Sequence, residues 1–255
     1  MIDIHSHILP GVDDGAQTME ESIELARSAV QEGIDTIVAT PHHQNGHFNN
    51  YKNDILIQVS ELNRILQEND IPLTVLPGQE TRIHAGMVED LQNDEMLPIN
   101  EESMYVFVEF PHDHVPSYAS NLLFNLQVEG YQPVIVHPER NEQIQDNPNL
   151  LYSFVKNGAF SQLTAGSLAG KFGRSAKKIS YQLIDANLTH VIASDAHNAK
   201  GRAFHMKEAY NDIRKHYGQS MMHYFSDNAQ YIIDNEPLAS DPPLHVKKKK
   251  VLGIF

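Results

Sequence analysis

Histidine and acidic residues recur at short spacings along this 255-residue chain, which contains 15 His and no Cys. They are concentrated in six stretches, which read His5-Ser6-His7, Pro41-His42-His43, Gly78-Gln79-Glu80, Glu109-Phe110, His137-Pro138-Glu139-Arg140 and Ser194-Asp195-Ala196-His197. Imidazoles and carboxylates bind divalent metals and transfer protons. The lack of Cys excludes disulfides, thiolate metal sites and cysteine nucleophiles. The pattern therefore points to a sulfur-free metal or acid–base site.

Each of these stretches ends a short apolar run that predicts a β-strand. Seven strands are expected, at Met1 to Ile8, Asp35 to Thr40, Leu73 to Gly78, Tyr105 to Phe110, Gln132 to His137, Ala159 to Thr164 and Thr189 to Ser194. Segments of helical periodicity separate them, beginning with a capping box at Thr18 and Glu21. Strand and helix in alternation predict a parallel sheet.

The repeats continue without a Pro/Gly/Ser-rich linker, which favours one α/β domain built as a closed or nearly closed barrel. An open doubly wound sheet is the alternative. We expect the barrel to occupy residues 1–225, because the periodic pattern fades near Ser226. Residues 226–255 would form a C-terminal appendage that includes Lys247 to Lys250. That run of lysines suits a solubilising tail or a contact with an acidic surface.

The carboxyl ends of all strands meet at one rim of a parallel barrel, so the six stretches predict a single site. Taken alone, His5 and His7 could be a surface pair, Glu80 or Glu109 a loop carboxylate, and Asp195 a helix cap. Together, so many carboxylates require cations nearby. Imidazole and carboxylate ligands without sulfur suit Mn, Fe, Zn, Co or Ni, and two or three ions are expected. Such centres usually hydrolyse phosphate esters or carbonyl compounds.

These motifs, in this order, resemble those of the PHP (polymerase and histidinol phosphatase) superfamily over essentially the whole chain. The opening stretch from His5 to Gly15, which reads HSHILPGVDDG, is similar to that of the manganese-dependent tyrosine-protein phosphatases of Gram-positive bacteria, the CpsB/YwqE type. The resemblance implies a distorted (β/α)7 TIM-like barrel, the PHP fold. It also implies three divalent metal ions, with Mn first and Fe, Zn, Co or Ni as alternatives.

The ligands that the resemblance implies are His5, His7, Asp14, His42, Glu80, Glu109, His137, Asp195 and His197. One ion would be held by His5, His7, Glu80 and Asp195, a second by Glu80, Glu109 and His137, and a third by Asp14, His42 and His197. Asp13 could replace Asp14, because either could reach a metal from that loop. Arg140 and Arg202 would be the catalytic residues that clamp the phosphoryl oxygens.

The implied activity is hydrolysis of phosphotyrosine on proteins, with a bacterial tyrosine kinase and its targets in exopolysaccharide or capsule synthesis as partners. Without Cys, direct attack by metal-bound hydroxide is the expected route. Phenol has a pKa of about 10, so tyrosinate leaves more readily than a serine alkoxide. A small-molecule phosphatase of the histidinol-phosphate type is the alternative, and a nucleic-acid-directed metal domain is a third possibility.

Charge and hydropathy restrict the partners and the location. The formal net charge of -14 argues against nucleic acid. The amino terminus lacks the pattern of a signal peptide, and no apolar run approaches a membrane span, so a cytoplasmic protein without membrane insertion is expected. His112 and His114 are predicted in a rim loop, and His43 and His47 at the substrate entrance or behind a ligand. We expect the remaining histidines at the surface: His190, His205, His216, His223 and His245.

Overall fold

The computed structural model describes residues 1–247, so Lys248 to Lys250 and the apolar residues after them lie outside the described range. The nine strands are β1 (Ile2–Ser6), β2 (Thr36–Ala39), β3 (His42–His43), β4 (Thr74–Pro77), β5 (Glu80–Arg82), β6 (Tyr105–Glu109), β7 (Gln132–Val136), β8 (Phe160–Thr164) and β9 (Val191–Ala193). The ten α-helices are α1 (Met19–Gln31), α2 (Lys52–Glu68), α3 (Met87–Gln92), α4 (Ala119–Val128), α5 (Glu142–Asp146), α6 (Asn149–Lys156), α7 (Ala165–Leu168), α8 (Gly173–Asp185), α9 (Met206–Tyr217) and α10 (Gln219–Ile233). Both counts refer to residues 1–247.

The strands form two sheets in which every pairing is parallel. One sheet has the order β1-β2-β4 and the other the order β3-β5-β6-β7-β8-β9. An isolated parallel bridge between Ser6 and Ala196 connects β1 to the segment that follows β9. The predicted α/β class with one domain and parallel strands is confirmed. Sequence patterning missed β3 and β5, because two or three residues are too few to show a period.

Successive residues of a strand pack into two different apolar clusters. Val106 and Val108 of β6 pack beneath the helices, whereas Phe107 lies in a second cluster between the strands that Ala229 and Ile232 of α10 help to cover. Strands buried on both faces are typical of parallel sheets. This packing holds the strands in place. The polar residues that follow their carboxyl ends therefore have fixed positions.

The prediction that the periodic pattern ends near Ser226 is wrong. Helix α10 continues to Ile233 and buries Asn228, Ala229 and Ile232, so the boundary placed after residue 225 falls within this helix. Beyond the helix, the Leu238 backbone N–H donates to the Tyr105 hydroxyl at 3.1 Å. The polar residues on the exposed face of α10 conceal the period of its buried face.

One of the histidines expected at the surface is instead buried. His190 is 1% exposed, and its Nδ1 accepts a hydrogen bond from the Ser161 backbone N–H at 3.1 Å. His205 is partly buried, and the others of that set, His216, His223 and His245, are exposed as predicted. Within residues 1–247, no helix combines the length and the hydropathy that crossing a bilayer requires.

Candidate metal centre

The polar side chains at the carboxyl ends of the strands come together at one end of the molecule. Eight of the nine predicted ligands fall into three groups, within each of which the candidate ligand atoms lie no more than 4.8 Å apart. The groups are His5, His7, Glu80 and Asp195; His42, Glu80 and Glu109; and His7, Asp14, His42 and His197. The parallel pairing of the strands helps to bring these residues together, since His42 of β3 is the pairing partner of Glu80 in β5.

The first group has the spacing of a coordination shell. His7 Nε2 lies 3.3 Å from Glu80 Oε2 and 3.2 Å from Asp195 Oδ1. His5 Nε2 lies 3.4 Å from the same Glu80 oxygen. Two ligands that each lie ~2.1 Å from one ion are ~3.0–3.4 Å apart in octahedral or tetrahedral geometry. The distances in this group therefore fit a single divalent cation.

Three histidines at the centre are held with Nε2 facing the carboxylates. His5 Nδ1 donates to Gln162 Oε1 at 2.9 Å, and His7 Nδ1 donates to Asp13 Oδ2 at 2.6 Å. His197 Nδ1 donates to a backbone carbonyl at 3.0 Å. Because each partner is an oxygen that can only accept, Nδ1 carries the hydrogen, and in the neutral ring Nε2 therefore keeps its lone pair. Hydrogen bonds of this kind orient metal-binding imidazoles.

Asp13 and Asp14 have different positions. Asp13 is the carboxylate that holds His7, and it also accepts the Gly15 backbone N–H at 2.9 Å. Asp14 Oδ1 lies 3.3 Å from His42 Nε2 and 3.2 Å from the Nε2 of the last histidine of the third group. Asp14 therefore lies in one of the groups that could hold an ion, whereas Asp13 is bonded to the Nδ1 side of His7, away from those groups.

Gly15 allows the Asp13-Asp14 loop to pass directly over His7. A Cβ atom at residue 15 would lie 2.1 Å from the His7 backbone oxygen. Since real Cβ atoms do not approach a backbone oxygen so closely, only glycine fits here. The glycine of the opening motif thus has a physical reason, which is to bring Asp14 to the centre.

His42 lies with Asp14 and His197, as expected, but it also lies with Glu80 and Glu109, whereas His137 falls outside the group expected for it. His42 Nδ1 lies 2.8 Å from Glu80 Oε2, while its Nε2 faces Asp14, so this ring contacts two groups. A neutral imidazole has one lone pair and can bind one ion through it. His137 lies outside all three groups, and its Nε2 is 2.7 Å from Glu80 Oε1.

Two of the predicted ligands have left-handed backbone conformations. His137, which directly follows β7, has a φ of 35°. Asp195, which lies shortly after the end of β9, has a φ of 53°. Such conformations cost a non-glycine residue about 1–3 kcal/mol and persist where surrounding structure holds them. The backbone turns sharply here, at the place where its side chains reach the centre.

Concentrated negative charge shifts the pKa values of the site. Burial raises the pKa of Glu109 to about 7, and the nearby Glu80 carboxylate adds to this effect. Burial opposes protonation of His42, but Glu80 and Asp14 raise its pKa to about 10. Burial would raise the pKa of Asp195, yet Arg140 and neighbouring histidines hold it well below its usual value. The site therefore favours positive charge.

The fit of this donor set to metal ions is clearest in its unpartnered atoms. Seven buried ligand atoms have no hydrogen-bond partner among the described residues: His5 Nε2, His7 Nε2, His42 Nδ1, Glu80 Oε2, Glu109 Oε2, Asp195 Oδ1 and His197 Nε2. A buried polar atom that makes no hydrogen bond destabilises the folded protein. Seven such atoms facing one another are explained by divalent cations between them, and the mixture of imidazole and carboxylate suits such ions.

Three arginines stand around the acidic groups. Arg140 and Arg202 both donate to Asp195 Oδ2, the second at 3.1 Å, and thereby leave Oδ1 facing the histidines. Arg202 also lies 3.4 Å from Asp14. Sequence reasoning missed Arg82, which donates to Glu109 Oε1 at 3.0 Å.

The residues that the sequence interpretation missed had detectable signals. Arg82 follows Glu80 by two residues on β5, a spacing that puts both side chains on one face of a strand. Gln162 is a polar residue within the buried strand β8. Both features mark side chains that support the ligands.

A cavity of about 40 Å³ opens beside the centre, and its lining includes Glu109, His137 and Arg140. His112 also lines it, and His112 and His114 are exposed and outside the three ligand groups, as the rim-loop prediction expects. Of the two histidines expected near the entrance, His43 is buried and His47 is exposed. The cavity therefore lies between the candidate ligands Glu109 and His137 and the rim loop that carries His112.

The family model described as capsular polysaccharide synthesis, CpsB/CapC, matches residues 1–234 of this chain. The chain belongs to the CpsB/CapC family. It is 49% identical to the tyrosine-protein phosphatase YwqE of Bacillus subtilis over 255 residues, which cover all of both chains. It is 31% identical to the tyrosine-protein phosphatase CpsB of Streptococcus pneumoniae over 239 residues, 91% of this chain and 98% of that one.

A solved structure supports the same relationship. It is described as YwqE from Bacillus subtilis and CpsB from Streptococcus pneumoniae, unique metal-dependent tyrosine phosphatases, and it aligns with this chain at a TM-score of 0.95 and 49% identity. The alignment covers 97% of this chain and 100% of that one. The family resemblance predicted from the motifs is confirmed.

Proposed function

We propose that this protein is a metal-dependent protein-tyrosine phosphatase that hydrolyses phosphotyrosine on proteins. The observation that carries the proposal is the set of seven buried ligand atoms without hydrogen-bond partners among residues 1–247, with Arg140 and Arg202 beside them. Arginine and divalent cations together suit phosphate esters. The relatives of the chain that carry the name tyrosine-protein phosphatase support this substrate class.

We propose that the strands close into a distorted (β/α)7 barrel of the PHP type. If β2 with β3, and β4 with β5, are each counted as one interrupted strand, seven strands result. The Asp195 backbone N–H donates to the His5 carbonyl at 2.9 Å, and the His7 N–H donates to the Ala196 carbonyl at 2.8 Å. These bonds link the first strand to the last and support closure.

The centre would hold three divalent ions, with Mn first and Fe, Zn, Co or Ni as alternatives. Asp14 and His197 alone supply two ligands, so we place His42 with them at the third ion. His137 then completes the second ion with Glu80 and Glu109, and the first group holds the remaining ion. Bound ions would lower the pKa of water and neutralise charge on the phosphoryl group.

The arginines would bind the phosphoryl oxygens. Arg202 Nε has no acceptor among the described residues, and we assign this donor to the phosphoryl group. The only hydrogen bond of the Arg140 side chain within residues 1–247 is to Asp195, which leaves further N–H groups free. Paired donors from a planar guanidinium stabilise the charge that develops in the transition state.

The relatives that carry the name tyrosine-protein phosphatase favour a protein substrate over histidinol phosphate. We place the phosphoryl group in the cavity lined by Glu109, His137 and Arg140, beside the candidate ligands. A phosphotyrosine on a protein surface can present its phosphoryl group in this way. As partners in the cytoplasm we propose a bacterial tyrosine kinase and its targets in exopolysaccharide or capsule synthesis. The family description, capsular polysaccharide synthesis, supports the second part of this proposal.

The test compares substrates on metal-loaded protein purified without chelators. We expect a phosphotyrosyl peptide to be hydrolysed with a higher kcat/KM than a phosphoseryl peptide of the same sequence, histidinol phosphate or a DNA 3′ end. Elemental analysis should find about three divalent ions per chain. A preference for histidinol phosphate would overturn the proposed substrate class, and a protein without bound metal would overturn the proposed chemistry.

A further inference from the structure

An exposed aromatic side chain stands beside the arginine that faces the proposed substrate. Phe172, between α7 and α8, is 37% exposed, and its ring centroid lies 5.2 Å from Cζ of Arg140. Single exposed apolar side chains are common on protein surfaces, so the informative feature of Phe172 is its contact with Arg140 and not its exposure. Phe124, which is also exposed, lies on α4 and lines a separate groove with Leu123 and Phe154.

The ring of Phe172 packs against the backbone of α7. A Cβ atom on Gly166 would lie 2.7 Å from Phe172 Cε2, so the ring rests directly on the backbone of α7. On another side it contacts the Arg140 guanidinium, which is itself bonded to Asp195. The aromatic surface is therefore preorganised, and its exposed part faces solvent at the rim of the centre.

A phosphoryl group bound by Arg140 brings the alcohol part of its ester close to Phe172. In phosphotyrosine a single oxygen joins the phosphorus to the phenyl ring, so the ring lies within a few ångströms of the guanidinium. Aromatic rings attract one another at centroid separations of about 4.5–7 Å. A seryl ester carries one methylene group at that position and offers no ring.

We propose that Phe172 is a specificity-determining residue that binds the phenyl ring of phosphotyrosine at the rim of the metal centre. This inference rests on the proposed function, because it assumes a phosphoryl group on Arg140. The contact adds affinity for aryl phosphates over alkyl phosphates.

Phe172 could instead serve only to position Arg140 through the cation–π contact, and the two roles have different signatures. A binding surface for the ring changes KM and inhibition constants for aryl compounds alone. Loss of Arg140 positioning changes kcat for every phosphate ester, and it weakens all phosphonate inhibitors equally.

The experiment uses the full-length, metal-loaded protein with Phe172→Leu and Phe172→Tyr, and with Phe124→Ala as the matched control. Leucine keeps an apolar side chain of similar reach, so the fold and metal content should be retained. The readouts are kcat and KM for a phosphotyrosyl peptide, and inhibition constants for phenylphosphonate and methylphosphonate.

For Phe172→Leu we expect KM and the phenylphosphonate inhibition constant to rise about 2- to 12-fold. Both kcat and the methylphosphonate inhibition constant should stay as in the natural protein. Phe172→Tyr should restore the natural values, and Phe124→Ala should change none of them.

Two results would overturn the inference: equal weakening of both phosphonates with a lower kcat, or no change in any constant. Failure of the proposed function looks different. In that case the natural protein itself would prefer histidinol phosphate to the phosphotyrosyl peptide, whatever residue occupies position 172.

Discussion

The two ends of strand β9 both bury histidine, but they use it differently. At the carboxyl end, His197 exposes an unpartnered Nε2 to Asp14 at 3.2 Å. At the amino end, His190 lies among apolar neighbours and uses its Nδ1 to accept a backbone hydrogen bond from Ser161. Burial alone therefore does not mark a ligand. An unpartnered nitrogen that faces carboxylates does.

These two histidines differ in their partners and not in their pKa, because burial also lowers the pKa of His197 to about 4. Burial without a nearby carboxylate lowers the pKa of His190 to about 4, so the ring remains neutral and structural. Burial acts on His7 in the same direction, but Asp13, Asp195 and Glu80 raise its pKa well above the usual value. The carboxylates around His7 attract positive charge, and a metal ion competes with the proton for the lone pair of that ring.

The comparison between a histidine of the candidate site and a structural histidine is tested most strongly by the variants His7→Ala and His190→Asn. We expect His7→Ala to lose bound metal and to release phosphate from phosphotyrosine at least ~100-fold more slowly, because it removes a ligand from two of the groups. His190→Asn should keep its metal and its activity. Full activity in His7→Ala, with metal content unchanged, would show that the ligand groups are wrongly assigned.

Arg140→Ala should separate substrate binding from metal binding. We expect it to retain metal and to lose about 10²- to 10³-fold in kcat, because its guanidinium acts on the phosphoryl charge. Elemental analysis and steady-state kinetics measure the two effects. Arg64→Ala, which removes an exposed partner of Glu68 on α2, is the control and should behave as the natural protein. Loss of metal in Arg140→Ala would remove this residue from the phosphoryl clamp.

Asp13→Asn tests the support behind His7. The change weakens the hydrogen bond that orients the ring, so metal affinity should fall about 10- to 100-fold. Activity should return when metal is added in excess, whereas in Asp14→Asn, which removes a ligand atom, excess metal should restore less. A metal titration followed by phosphate release measures both variants. Equal behaviour of the two would contradict the distinction between ligand and support.

The smallest expected effect is on the free energy of unfolding, and it comes from His190 at the amino end of β9. The unfolded chain protonates His190 near pH 6.5, whereas the folded protein does so only near pH 4. Stability should therefore fall as pH decreases from 6.5 to 4, by at most about 3 kcal/mol from this residue. Urea unfolding of His190→Asn should show a weaker loss over that range than the natural protein, and His223→Asn, at an exposed site, should not. A loss of equal size in His190→Asn would contradict this assignment.

The sequence predicted much of the fold from local patterns. Each of the seven predicted strands contains an observed strand, because buried parallel strands are continuous apolar runs that end in polar residues. It failed where the pattern is short or mixed. Strand β3 has two residues, and α10 carries Ser226, Asp227 and Gln230 on its outer face, which hides the buried one.

For the candidate site, the sequence supplied the residue types but not their grouping. Order and spacing identified the family and the expected ligands, because motifs survive as linear strings. Tertiary structure alone distinguished Asp13 from Asp14, placed His42 between two groups and left His137 bonded to Glu80. Those outcomes depend on which nitrogen or oxygen points inward. That choice is made by hydrogen bonds between residues as far apart in the chain as His5 and Gln162, which no local pattern encodes.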